Sequence, residues 1–217
     1  MSDAQSPPEL PPAPPAAARL PDGTLNPLIE YGRLLATDGV IRGLIGPREV
    51  PRLWDRHLLN CAALAEALPA GVRVADIGTG AGLPGIVLAI VRPDLSLVLI
   101  ESLQRRCDFL REAVDRLELR KRVTVVRGRA EQVAPAKADV VTSRAVAALD
   151  TLAAWCLPHA RVGGTLLAMK GERAAEELEA ARPILKKWGA DADARVVTCG
   201  EGWIDPPVRA VQATRRK

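Results

Sequence analysis

Val72-Arg73-Val74-Ala75-Asp76-Ile77-Gly78-Thr79-Gly80-Ala81-Gly82-Leu83-Pro84-Gly85 decides the fold. Its first half predicts a strand over 72–77 that ends on a carboxylate, Asp76, and its second half predicts a glycine loop whose backbone lets a ligand approach closely. Outward from it, Leu95–Ile100, Val123–Val126, Asp139–Thr142 and Gly164–Met169 read as further strands separated by helical patterns. Alternation of that kind demands a parallel sheet with crossovers, an α/β Rossmann-like sheet with helices on both faces.

Gly80-x-Gly82-x-x-Gly85 satisfies the formal nicotinamide fingerprint, which by itself is a weak signal. Electrostatics separates the readings. A pyrophosphate would sit close to Asp76, whereas S-adenosylmethionine (SAM) has no phosphate and presents an ammonium, a sulfonium and ribose hydroxyls to carboxylates. Glu101 ends the next apolar run, where an acidic residue of an open parallel sheet accepts both ribose hydroxyls. That position suits a SAM ribose and an NAD ribose equally, so an NAD-binding oxidoreductase stays open at this point.

The chain has 217 residues, 48% of them hydrophobic, enough for one domain with an extra segment. No apolar run approaches the roughly 20 residues that span a bilayer, and no basic-then-apolar signal opens the chain, so a cytoplasmic protein without membrane partners is expected. Cys61, Cys107, Cys156 and Cys199 form no Cys-x-x-Cys pair, and His57 and His159 are the only histidines. Reduced, buried thiols are expected, and no metal site. Residues 1–23 are a Pro/Ala segment poor in large apolar groups, expected to be disordered. That tail is acidic (Asp3, Glu9 and Asp22 against Arg19), so the rest is more basic than the overall +4 and suits a polyanionic partner.

Residues 24–70 read as a small helical segment ahead of the 71–217 domain. Trp54, Leu58, Cys61, Ala65 and Leu68 recur at spacing 4, 3, 4, 3, an amphipathic core face. Arg48, Arg52 and Arg56 would follow at i, i+4, i+8 as a basic stripe, with His57 and Asn60 beside it. The stripe is either an RNA contact or a solvated face. Past Glu101, Leu103, Cys107, Leu110, Val114 and Leu117 mark another helix, with Ser102 placed to cap it. Ala174, Leu178, Ala181, Leu185 and Trp188 mark a later one, which Pro183 should kink or split.

Trp54-Asp55-Arg56-His57-Leu58-Leu59-Asn60, the loop Asp76–Gly85, Glu101-Ser102, Arg129-Ala130-Glu131, Ser143-Arg144-Ala145 and Met169-Lys170-Gly171 occur in this order. Together they resemble the bacterial 16S ribosomal RNA guanosine N7-methyltransferases, over essentially all of residues 24–217. The glycine loop is shared by many methyltransferases, and the Arg-His, Ser-Arg-Ala and Lys-Gly motifs are the specific part. The resemblance implies SAM as methyl donor and, as target, one guanosine of the decoding-region loop of 16S rRNA, met as rRNA or as the small ribosomal subunit. A monomer is expected. The runs Ala194–Cys199 and Val208–Ala213 would be the antiparallel pair that closes a methyltransferase sheet. Gly78 and Leu83 would line the methionine end, and Asp76, Thr79, Gly80, Gly82 and Pro84 of the same loop would also bind the cofactor. Glu101, Ser102 and Leu103 would meet the ribose, and Ala130 and Glu131 the adenine. Arg144 follows the fourth strand into the same crevice and would touch cofactor or RNA. Arg52, Arg56, His57, Asn60 and Lys170 would hold RNA.

The implied target accounts for what is missing. Guanine N7 has a lone pair and no proton, so transfer needs alignment and no general base. Arg144 and Lys170 are then positioning cations for phosphate or O6, kept away from N7, where positive charge arrives. The Asn/Asp-Pro-Pro-Tyr motif used for exocyclic amines is absent, since Asp205-Pro206-Pro207 lacks the aromatic and lies outside the fourth strand. A SAM methyltransferase acting on another RNA or on a small molecule is the alternative, and it would leave the basic residues unemployed.

Overall fold

The computed structural model describes residues 9–144 and 147–217; Ala145 of the Ser-Arg-Ala motif and the first eight residues of the expected disordered tail lie outside the described residues. In chain order the elements are α1 (Leu25–Leu34), α2 (Leu59–Ala63), β1 (Arg73–Ile77), α3 (Gly85–Val91), β2 (Ser96–Glu101), α4 (Gln104–Arg116), β3 (Val123–Arg127), β4 (Ala138–Arg144), α5 (Leu149–Cys156), β5 (Ala160–Lys170), α6 (Ala174–Lys187), β6 (Arg195–Cys199) and β7 (Val208–Thr214). They build a seven-stranded sheet of order β3-β2-β1-β4-β5-β7-β6, parallel except for β7, which runs antiparallel to β5 and β6. The order reverses between β1 and β4, which leaves a crevice at the carboxyl ends of those strands.

Strand alternation sends side chains into two cores. Val74, Leu97, Leu99 and Val140 pack on one face with α3, α4 and the helical segment, whereas Ala75, Ile77, Val98, Ile100 and Val141 pack on the other with α5 and α6. Both faces are covered, which is why the parallel strands read as continuous apolar runs.

Four expectations are corrected. From Glu9 onward the tail is laid against the helical segment: Leu10 packs on Gly32, Ala17 is buried in a short 3-10 turn, and Trp54 Nε1 donates to the Pro11 carbonyl at 2.9 Å. Its prolines lose little backbone freedom on ordering, so a few apolar contacts suffice. Second, residues 24–70 are a chain of short helical pieces. Pro47–Arg52 winds as a 3-10 helix with Pro51 inside, and Leu53–Leu58 as a π-helix, so Arg48, Arg52 and Arg56 share no α-helical stripe, although all three are exposed. Third, Ser102 does not cap α4, whose N-cap position is Leu103. Fourth, Pro183 does not split α6, which is continuous from Ala174 to Lys187 with the proline on its exposed side.

Candidate functional site

The glycine loop is tied down from beneath. Asp76 is fully buried, and its Oδ2 accepts the Thr79 hydroxyl at 2.6 Å and the Gly85 amide at 2.8 Å. A Cβ at Gly85 would collide with Leu99 Cδ2 and stand 2.8 Å from that same Oδ2, so only glycine fits. Gly82 has φ +102°, and a Cβ there would meet the Tyr31 hydroxyl at 2.9 Å. That hydroxyl donates to the Ala81 carbonyl at 2.7 Å, fastening the loop to α1. Asp76, Gly82 and Pro84, expected among the cofactor contacts, are corrected: they shape the loop from within and line neither of the two lobes around Glu101. Burial raises the Asp76 carboxyl pKa to about 6, against the opposing pull of the Thr79 and Gly85 hydrogen bonds. Among the described residues its buried Oδ1 meets no partner.

Two lobes meet around Glu101. One, of about 390 Å³, is lined by Gly78, Thr79, Gly80, Leu83, Glu101, Ser102, Arg106 and Arg144 among others. The second, of about 280 Å³, shares Gly78, Glu101 and Ser102 and adds Gly128, Arg129, Ala130, Glu131 and Trp155. Glu101 is 3% exposed. Its Oε1 accepts the amides of Ser102 and Leu103 at 2.8 and 2.9 Å, and its Oε2 accepts the Gly80 amide at 3.0 Å and faces Arg106 Nη1 at 3.4 Å. Those bonds aim the carboxylate at the lobes. Leu103 contributes its amide to this clamp while its side chain is exposed and lines neither lobe.

A separate open cleft of about 730 Å³ lies beyond Arg144, lined by Arg56, Asn60, Arg144, Met169, Lys170, Gly171, Pro206, Pro207 and Arg209 among others. Arg144 belongs to both this cleft and the first lobe. Its Nη1 donates to the Arg56 carbonyl at 3.2 Å and its Nη2 to His57 Nδ1 at 2.9 Å. His57 Nε2 in turn stands 3.0 Å from Glu49 Oε2. Desolvation and the Arg144 charge hold the imidazole below its ordinary pKa, against the opposing pull of Glu49. Lys170 is not free: its Nζ donates to the Ala147 carbonyl at 2.7 Å and to Glu177 Oε2 at 2.8 Å, and its side chain is 7% exposed. Arg52 is exposed and lines no cleft; Asn60 leans on the Arg56 carbonyl at 3.5 Å.

The structure therefore brings Gly78, Thr79, Gly80, Leu83, Glu101, Ser102, Ala130, Glu131 and Arg144 to the lobes, and Arg56, Asn60, Arg144 and Lys170 to the cleft. It adds groups that sequence reasoning passed over. Trp155 walls the second lobe from α5, and the apolar pattern around it gave no sign of a site. Arg106 reaches back from α4 over Glu101, a spacing of five that an outer-face reading hides. Arg209 enters the cleft from β7. Among the described residues no cluster of three metal-ligating side chains occurs, and no helix is long and apolar enough to cross a membrane.

A family profile described as GidB, rRNA small subunit methyltransferase G, matches residues 24–202. "Ribosomal RNA small subunit methyltransferase G" of Salinispora arenicola (strain CNS-205) is 53% identical over 222 residues, covering 99% of this chain and 90% of the relative. The protein of that name from Mycolicibacterium smegmatis is 54% identical over 210 residues, covering 94% and 88%. Among solved structures, P. horikoshii TYW2 in complex with MeSAdo superposes with a TM-score of 0.60 at 16% identity, over 74% of this chain and 63% of that one. M. jannaschii TYW2 in complex with AdoMet does so at 0.59 and 17%, over 76% and 78%. At such identities the likeness is one of fold.

Proposed function

The chain belongs to the rRNA small subunit methyltransferase G family, and from that premise we propose that its clefts hold the two substrates of one methyl transfer. It is a SAM-dependent methyltransferase of 16S rRNA. We assign SAM to the paired lobes around Glu101, and the guanosine of the decoding-region loop, methylated at N7, to the basic cleft beyond Arg144. The observation that carries this assignment is Arg144 itself, a single guanidinium lining both spaces.

The donor set of the lobes fits SAM. Glu101 offers a preoriented carboxylate to ribose hydroxyls, the Gly78–Gly80 backbone borders the same lobe, and Trp155 gives the second lobe an aromatic wall for a flat base. SAM, when bound, supplies a methyl group carried on a sulfonium. The residues of this chain then have only to bind and orient, because N7 presents a lone pair with no proton to remove. Arg144 suits an anionic or carbonyl oxygen on either side of it. Arg56, Asn60 and Arg209 line the cleft with donors for phosphate oxygens. Lys170, bonded to Glu177 and Ala147, braces the cleft wall and leaves the contact with RNA to the arginines.

Calorimetric titration with SAM and NADH tests the cofactor half. Glu101→Ala should weaken SAM by about 1 to 3 kcal/mol, since ribose hydroxyls lose a charged acceptor in a desolvated site. Neither protein should bind NADH. Tight NADH binding by the native chain, lost on Glu101→Ala, contradicts the assignment.

A further inference from the structure

We propose that Glu49 is a positioning residue for Arg144, acting through His57, and that this three-membered chain holds the guanidinium between the two clefts only while His57 is neutral. The inference rests on reading Arg144 as the group at the junction of the two substrates.

Arginine has donors and no acceptor. The 2.9 Å contact between Arg144 Nη2 and His57 Nδ1 therefore requires an unprotonated Nδ1. The ring proton then sits on Nε2, 3.0 Å from Glu49 Oε2, where it is donated to the carboxylate. Glu49 thus selects the tautomer whose free nitrogen faces Arg144, in the way an outer partner fixes the ring of a ligating histidine. Three charged groups face the imidazole: Glu49 from the Pro47–Arg52 turn, Arg56 from its own segment, and Arg144 from the end of β4. Glu49 is the only anion of the three, and it also accepts from Arg56 Nη1 at 3.3 Å.

Protonating His57 puts an N–H against the guanidinium, two cations at hydrogen-bond distance. Arg144 would keep only its bond to the Arg56 carbonyl. Half-buried and beside Arg144, His57 stays neutral to below the ordinary imidazole value of about 6.5. The chain is therefore intact at neutral pH and opens on acidification. A general base would also give a rate that rises with pH, so the ring tautomer and the double variant, rather than the sign of the pH limb, separate the two.

Ring nitrogen shifts of uniformly 15N-labelled full-length protein read the tautomer directly. The chain has two histidines, and His57→Asn identifies the signals. At pH 7.5 His57 Nδ1 should be unprotonated in the native protein, and Glu49→Ala should give a mixture of tautomers. In single-turnover methyl transfer at saturating rRNA and SAM, Glu49→Ala should lose about tenfold in rate, the order of one charge-assisted hydrogen bond, with SAM affinity unchanged within about twofold. Glu49→Gln keeps an acceptor oxygen and should recover most of the rate. In His57→Asn, whose side-chain oxygen stands near the former Nδ1, adding Glu49→Ala should cost nothing more, and the fall in rate at acidic pH should vanish. A protonated Nδ1 in the native protein, or an equal loss from Glu49→Ala in both backgrounds, overturns the proposal. Failure of the native enzyme to methylate any rRNA would instead overturn the assigned function, and the ring nitrogens would still decide the relay.

Discussion

Glu101 and Asp76 are both carboxylates at strand ends, yet they do different work. Glu101 borders both lobes, its oxygens held by three backbone amides. Asp76 is sealed under α3 with one oxygen unpartnered, and its pKa is raised to about 6. A raised carboxyl pKa means that the folded state binds the proton more tightly than the unfolded one. The associated stability is fully present below the unfolded value of about 3.9 and is lost as pH rises through about 6. Urea unfolding of the native protein and Asp76→Asn at matched pH isolates this group. The stability of the native protein relative to the variant should fall by about 2 to 3 kcal/mol between pH 4 and pH 7. A native protein that gains on the variant as pH rises would mean that Asp76 is ionised and paired. The sequence placed both residues at strand ends, because alternation and run length mark such ends. It could not tell a lining carboxylate from a sealed one, since that depends on Gly85 letting α3 descend onto β1.

At the scale of elements, the helical segment joins the two clefts as well as covering one face of the sheet. Tyr31 ties α1 to the glycine loop, and the stretch Leu53–Leu58 carries Arg56 and His57 to Arg144. The apolar face through Trp54, Leu58 and Cys61 was legible, and all three are buried. The Arg48, Arg52, Arg56 stripe was not, because the turns around Pro47 and Pro51 depart from the 3.6-residue period of an α-helix. Arg56 enters the cleft without the stripe. Arg52→Ala with Arg56→Ala should leave SAM affinity nearly unchanged, slow rRNA methylation, and reduce the salt slope of RNA binding by roughly 0.7 to 0.9 for each phosphate no longer neutralised. Native rate and salt response in the double variant would make these arginines merely solvated. The proline-rich strap offers a second check. Leu10→Ala should cost about 1 to 2 kcal/mol of unfolding free energy, less than a fully buried leucine because Leu10 is half-buried. No change would return residues 9–23 to the disordered class that their composition suggested.

For the molecule as a whole, the parallel sheet supplies a crevice where its strand order reverses, and the chain's basic character draws an acidic polymer to it. The parallel sheet and the ends of β2 and β4 followed from runs along the chain, and the closing antiparallel pair from the family resemblance; the strand order emerged only in the fold. Trp155, Arg106 and Glu49 did not follow from the chain, because each reaches the site by a tertiary contact that no local period encodes. The division of labour between lobes and cleft leads to one chemical outcome, a methyl group on a ring nitrogen that needs no deprotonation. Incubating the protein with methyl-labelled SAM and rRNA from a strain lacking this methylation, then locating the label in nuclease fragments of defined sequence and digesting those to nucleosides, measures that outcome. The label should appear as N7-methylguanosine at one nucleotide of the decoding-region loop; label on an exocyclic amine, on a ribose hydroxyl or outside 16S rRNA would contradict it.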